Sequence, residues 1–158
     1  MYTTLLHQYQ LVISSRAVLL NYCETISPDD LLAPLPSFDN QSMVTRMMHS
    51  ANCYLFWLAK CCMQEGRPEF NIEEHKDIEM VRQAFEQVNL MMNTFLHHFT
   101  DSLALPRLFT RPDGSELTRS PLDIFTHVIT HEFHHKGQVI SMSRQLGYTP
   151  VDTDVILE

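Results

Sequence analysis

The sequence predicts an all-α fold, a four-helix bundle with a small hairpin ahead of the last helix, and three observations carry that prediction. Four long segments place apolar residues at the 3.6-residue spacing of a helix buried on one side. The chain has only 4 Gly among 158 residues and is 44% hydrophobic, so little of it is composed for disorder. The stretches between the segments hold the Pro, Gly, Ser and Asp of turn and cap chemistry. At this length one domain, residues 1–158, is expected, with enough burial to need no covalent staples.

The first helix is expected from about Thr3 to Ile26, with Leu5, Val12, Val18, Leu19 and Leu20 among its apolar positions. Ser27-Pro28-Asp29-Asp30 should stop it, and Pro34 to Asn40 reads as a loop. The second helix should begin near Gln41. It sets Met47, Ala51, Tyr54, Leu55, Leu58 and Cys62 on one arc, His49 on the other, and fades at Gly66-Arg67-Pro68. The third, about Asp77 to Asp101, packs Met80, Val81, Phe85, Val88, Met92, Phe95 and Phe99, with His97 and His98 at its end.

Between Arg107 and Arg119, two short apolar runs flank Pro112-Asp113-Gly114-Ser115, and Asp-Gly is a tight-turn pair that predicts a hairpin. Ser120-Pro121 supplies an N-cap and a first-turn proline, and Gly147 stands where a C-cap glycine belongs. The fourth helix therefore spans about Pro121 to Leu146, and Tyr148 to Glu158 forms an irregular tail. Leu122, Ile129, Phe133 and Ile140 are assigned to its packing arc.

A formal charge of -8 sets the averaged field against phosphate backbones and anionic lipid, so neither nucleic acid nor a membrane is expected as a partner. Apolar stretches fall short of the roughly 20 residues of a membrane span, and Met1 to Ser15 lacks the order of a signal peptide. A cytoplasmic location is expected. Cys23, Cys53, Cys61 and Cys62 form no CxxC pair and read as reduced and mostly buried. Cys53, one helical turn from His49, is within reach of the same site.

Five of the 9 histidines matter. His127, His131 and His135 recur every fourth residue, so they share one face of the last helix, continued by Gln138, with His134 beside them. Neutral imidazole is the commonest biological metal ligand, and histidines four apart on a helix aim at one ion. His49, a lone histidine on the polar arc of its own helix, is the natural third ligand to His131 and His135. A bundle groove is where such sites are built, and three protein ligands leave positions open for water or substrate. His7, His75, His97 and His98 read as ordinary surface histidines.

His131-Glu132-Phe133-His134-His135 also satisfies the HExxH pattern of zinc proteases, with Glu132 as water-activating base. The extended form would need glycine at 138 and histidine at 141, where this chain has Gln138 and Ser141. Gly137, costly inside a helix, suggests close approach by another helix or a ligand.

The run His131-Glu132-Phe133-His134-His135-Lys136-Gly137-Gln138 resembles the H-x-x-H-H-[RK]-G-Q signature of the DinB-like family, also called YfiT-like or thiol-transferase-like. His49 matches that family's second-helix histidine, and Gly147-Tyr148-Thr149-Pro150 followed by Asp152 or Asp154 resembles its usual ending. The resemblance implies a four-helix bundle, often dimeric, holding one divalent transition metal through His49, His131 and His135, with His134 accessory and His127 in the surrounding groove. Zinc or nickel is the expected ion, with iron, cobalt and copper compatible with the same donors. Some members of the family transfer low-molecular-weight thiols such as bacillithiol, mycothiol or glutathione. The resemblance thus implies a metal-dependent thiol transferase acting on a small electrophilic substrate, as a homodimer. Two alternatives stand beside it: a non-catalytic, dimeric metal-binding stress-response protein, and a metal-dependent hydrolase using Glu132 or another carboxylate as base.

Overall fold

The computed structural model of the protein describes residues 1–156; the last two residues of the expected irregular tail lie outside them. Four long helices dominate: α1 Tyr2–Cys23, α3 Met43–Tyr54 continued by a π-helical segment Leu55–Cys62, α4 Ile78–His98 and α5 Pro121–Gln145. A short helix α2, Pro28–Leu32, follows α1, and strands β1 Arg107–Thr110 and β2 Glu116–Arg119 precede α5. The architecture is the expected helical bundle with its hairpin.

The helix ends follow cap chemistry. Ser42 Oγ accepts from Thr45 N–H, Asp77 Oδ1 accepts from Met80 N–H, and Ser120 and Asp123 form a reciprocal capping box at α5. At the other end of α5, Gly147 takes φ 90° while Gly147 N–H reaches Arg144 O and Tyr148 N–H reaches Ser143 O, a Schellman closure. In the hairpin, Arg107 pairs with Arg119 and Thr110 with Glu116, closed by the turn in which Gly114 sits at φ 84°.

Sequence and structure part in four places. Ser27-Pro28 ends α1 but also starts α2: Ser27 Oγ accepts from Asp30 N–H and the proline occupies the first turn. The second helix widens to π-helix at Leu55, a change of hydrogen-bond step that residue periodicity does not encode.

On α5 the buried line runs through Ile124, Val128, Glu132, His135, Val139 and Met142, while Leu122, Ile129 and Phe133 are half-buried. Buried Glu132 and Lys136 interrupt the apolar pattern on the true core face and moved the sequence assignment to the neighbouring arc. Gly137, finally, meets nothing within 4 Å of a Cβ built on it. No other helix approaches it, and Gly137→Ala should stabilise the chain by about 1 kcal/mol through helix propensity. Calorimetry should show a Tm raised by about 2–4 °C on that figure.

The core is formed by the inner faces of the helices, with Tyr9, Tyr54, Phe95, Phe99 and Phe125 among its fully buried side chains. Cys23, Cys61 and Cys62 are buried, Cys53 is half-buried, and all four thiols are free. Among the described residues no helix is long and apolar enough to cross a membrane.

Through the core runs a polar network that ties four helices together. Arg16 of α1 donates to both carboxylate oxygens of Glu132 on α5, at 2.6 and 2.8 Å. Tyr54 of α3 donates to Glu132 Oε2 at 2.5 Å, and Arg16 also donates to Asn89 Oδ1 of α4 at 2.8 Å. The Arg16 guanidinium lies 4.2 Å over the Phe85 ring. Lys136 donates to Ser15 Oγ and to Thr153 O, docking the C-terminal stretch on α1.

Candidate metal centre

Helices α3 and α5 lie against one another in opposite directions, for Trp57 meets His127 while His49 meets His131 and His135. The amphipathic arc of α3 turns Met47, Ala51 and Tyr54 inward and leaves His49 on the side that α5 approaches. On α5 the four-residue spacing stacks His127, His131 and His135 along the same seam.

The structure brings His49, His131 and His135 together as the sequence expects, with one ring nitrogen of each within 4.8 Å of the others. His131 Nε2 lies 3.0 Å from His135 Nε2 and 3.3 Å from His49 Nε2. Nitrogens about 2.0–2.1 Å from a shared tetrahedral ion would stand about 3.3–3.4 Å apart. The three nitrogens therefore suit a single divalent transition ion.

The electrostatics agree. Burial, followed by its histidine neighbours, lowers His131 to about 4. Burial also lowers His135, His49 and His127, with Arg46 adding to the effect at His49 and His135. All four rings are thus held in the neutral form that ligates metal. Gln138 Oε1 accepts from His135 Nδ1–H at 2.7 Å, which fixes the tautomer and leaves the lone pair on Nε2. Across 3.0 Å, His131 Nε2 either donates a hydrogen bond to the His135 lone pair or, in its other tautomer, turns its own lone pair with that of His135 toward a shared cation.

Two expected results follow. Gln138→Ala should weaken zinc binding by about 10–100-fold without unfolding the chain, as loss of a ligand-orienting partner does elsewhere; equilibrium competition against a chromogenic chelator measures it. Unchanged affinity would remove Gln138 from the site. In the metal-free chain, His131 binds its proton less readily folded than unfolded, so stability is fully present above about 6.5. It is lost progressively as pH falls toward about 4. Thermal melts across that window should show the fall, and His131→Ala should reduce it, leaving the share of His135, His49 and His127.

A groove of about 310 Å³ opens beside the histidines, lined by His49, Asn52, Cys53, Phe56, Trp57, Glu69, His127 and His131. Trp57 stands edge-on to Phe56 and to His127, and Arg111 from the hairpin turn lies 5.7 Å over the Trp57 ring. Asn52 pins the wall that carries Glu69, exchanging hydrogen bonds with Phe70 O and Phe70 N–H. Phe56, Trp57, Asn52 and Glu69 were not singled out by the sequence reading. For Asn52, Phe56 and Trp57 the signal is present on the polar arc of the second helix, where two half-buried aromatics follow His49.

Cys53, His127 and His131 make a second group whose ligand atoms lie within 4.8 Å of one another. Burial pushes the Cys53 thiol up to about 12. His134 is exposed beside His135, with ring centroids 5.0 Å apart. Glu132, the base that the HExxH pattern requires, is 6% exposed and has its carboxylate engaged by Arg16 and Tyr54 in the core. The HExxH match is therefore a coincidence of spacing: its histidines face the seam and its glutamate faces the opposite way, into the bundle.

The family model described as "DinB family" matches residues 1–158. "Protein DinB" of Bacillus subtilis (strain 168) is similar, 27% identical over 81 residues, which are 51% of this chain and 46% of that protein. The match thus spans about half the length of the curated relative.

Proposed function

The chain belongs to the DinB family, and from that premise we propose that it binds one divalent transition metal through His49, His131 and His135 and acts as a thiol S-transferase on a small electrophile. The observation that carries the reading is the convergence of three neutral imidazoles on the edge of an open groove. Three protein donors leave room at an ion for a small molecule. When bound, a divalent ion supplies Lewis acidity that favours the thiolate over the thiol of a low-molecular-weight cosubstrate.

The chain's own residues do the rest. Gln138 orients His135, and the Arg16–Glu132–Tyr54 cluster holds α5 in register with α1 and α3 so that the three rings meet. Trp57 and Phe56 offer an apolar wall to the electrophile, and the groove volume suits a small molecule rather than a folded peptide. In the overall reaction a carbon–sulfur bond forms, the carbon–leaving-group bond breaks with its electron pair, and the thiol proton passes to solvent. Zinc or nickel fits the donors, and a homodimer is the proposed assembly. Glu132 is committed to Arg16 and Tyr54, so a hydrolytic reading would have to take its base from another carboxylate such as Glu69 in the groove wall.

The test supplies zinc- or nickel-loaded protein with glutathione, cysteine or bacillithiol and the fluorogenic electrophile monochlorobimane. Conjugate formation above the metal-only and protein-only rates, lost in His131→Ala, supports transfer. A loaded, folded protein that accelerates none of these pairs would favour the non-catalytic metal-binding reading.

A further inference from the structure

The two histidine groups share His131 and are displaced by one helical turn. From His49 to Cys53 the chain advances four residues along α3, and from His131 to His127 it retreats four along the antiparallel α5. Both steps carry the donors the same way along the seam, by about 5–6 Å. The groove that reaches His49 and His131 is also lined by Cys53 and His127, so the second group faces the same open space.

We propose that Cys53, His127 and His131 form an alternate seat for a soft cation, mutually exclusive with the seat at His49, His131 and His135. A neutral imidazole has one lone pair, so His131 serves one ion at a time, and the chain holds one ion in either of two places. Donor chemistry biases the occupants: an all-imidazole set suits nickel and zinc, whereas adding a thiolate raises the preference for the softest ions, such as Cu⁺ and Cd²⁺. Coordination at the second seat breaks the Cys53 S–H bond, forms a metal–sulfur bond and releases one proton to solvent. His131 acts as the pivot. The inference rests on reading His131 as a metal ligand.

Cadmium alone is the probe, added to metal-free, reduced protein while the ultraviolet thiolate-to-cadmium charge-transfer band and bound cadmium are both measured. The band should rise to saturation at one cadmium per chain. It should vanish in Cys53→Ser, weaken by tenfold or more in apparent affinity in His127→Ala, and persist in His49→Ala, which spares the second seat. Cadmium bound without the band, and lost in His49→Ala, would confine metal to the three-histidine seat and overturn the proposal while leaving that centre intact. A band that survives in Cys53→Ser would assign the thiolate elsewhere, and two cadmium ions per chain would overturn exclusivity. Failure to bind either zinc or cadmium would overturn both seats together. Circular dichroism of each variant separates loss of a ligand from loss of the fold.

Discussion

Replacing Glu132 with alanine should destabilise the chain by about 3–5 kcal/mol, the range for breaking a buried ion pair from one side. Arg16 is 4% exposed and Glu132 6%, so the guanidinium left behind has little access to solvent. Burial is the largest single influence and lowers the Arg16 pKa, but the charge and hydrogen bond of Glu132, together with the Tyr9 and Tyr54 phenols, outweigh it and hold Arg16 charged. Tyr54 loses its acceptor in the same substitution, and burial with Glu132 beside it keeps that phenol protonated.

For a domain of this size the loss corresponds to a Tm lower by roughly 6–20 °C, readable by calorimetry. Glu132→Gln keeps an acceptor for Tyr54 but not the charge, so it should fall between wild type and alanine. A cost below about 1 kcal/mol for alanine would mean that the pair is solvated. Because Glu132 points away from the seam, Glu132→Gln should still bind zinc.

The second large effect is stabilisation by metal. Zinc at a free concentration about 100 times its dissociation constant should add about 2.7 kcal/mol to the folded state. That figure raises Tm by about 5–11 °C. His49 is exposed, so His49→Ala should cost the metal-free chain little while abolishing the zinc-dependent shift. A full shift in His49→Ala would place the ion elsewhere.

The helices, the caps of α5 and the hairpin were legible in the sequence because each depends on local chemistry: Ser120 and Gly147 mark ends that hydrogen bonding over a few residues enforces. The histidine stripe was legible because the α-helical period places residues four apart on one face. Its lone place on the polar arc of the second helix singled out His49, the resemblance matched it, and the structure sets it across from the stripe. What was not legible depends on distant partners. Arg16 sits among Val12, Leu19 and Leu20 on a buried arc, a charged residue out of place whose reason is Glu132, 116 positions away. The same pairing hid the true core face of α5, since Glu132 and Lys136 read as surface residues until their partners are known. The Cys53–His127–His131 group was half visible: the reach of Cys53 follows from one helical turn, but His127 joins it only because α3 and α5 run antiparallel.

The most direct measurement is metal content by plasma mass spectrometry on untagged, zinc-loaded protein after gel filtration, comparing wild type with His49→Ala, His131→Ala and His135→Ala. A three-histidine centre requires close to one zinc per chain in wild type and loss of most of it in each folded variant. Retention of zinc by all three variants, or its absence from wild type, would contradict the centre and with it the enzymatic reading.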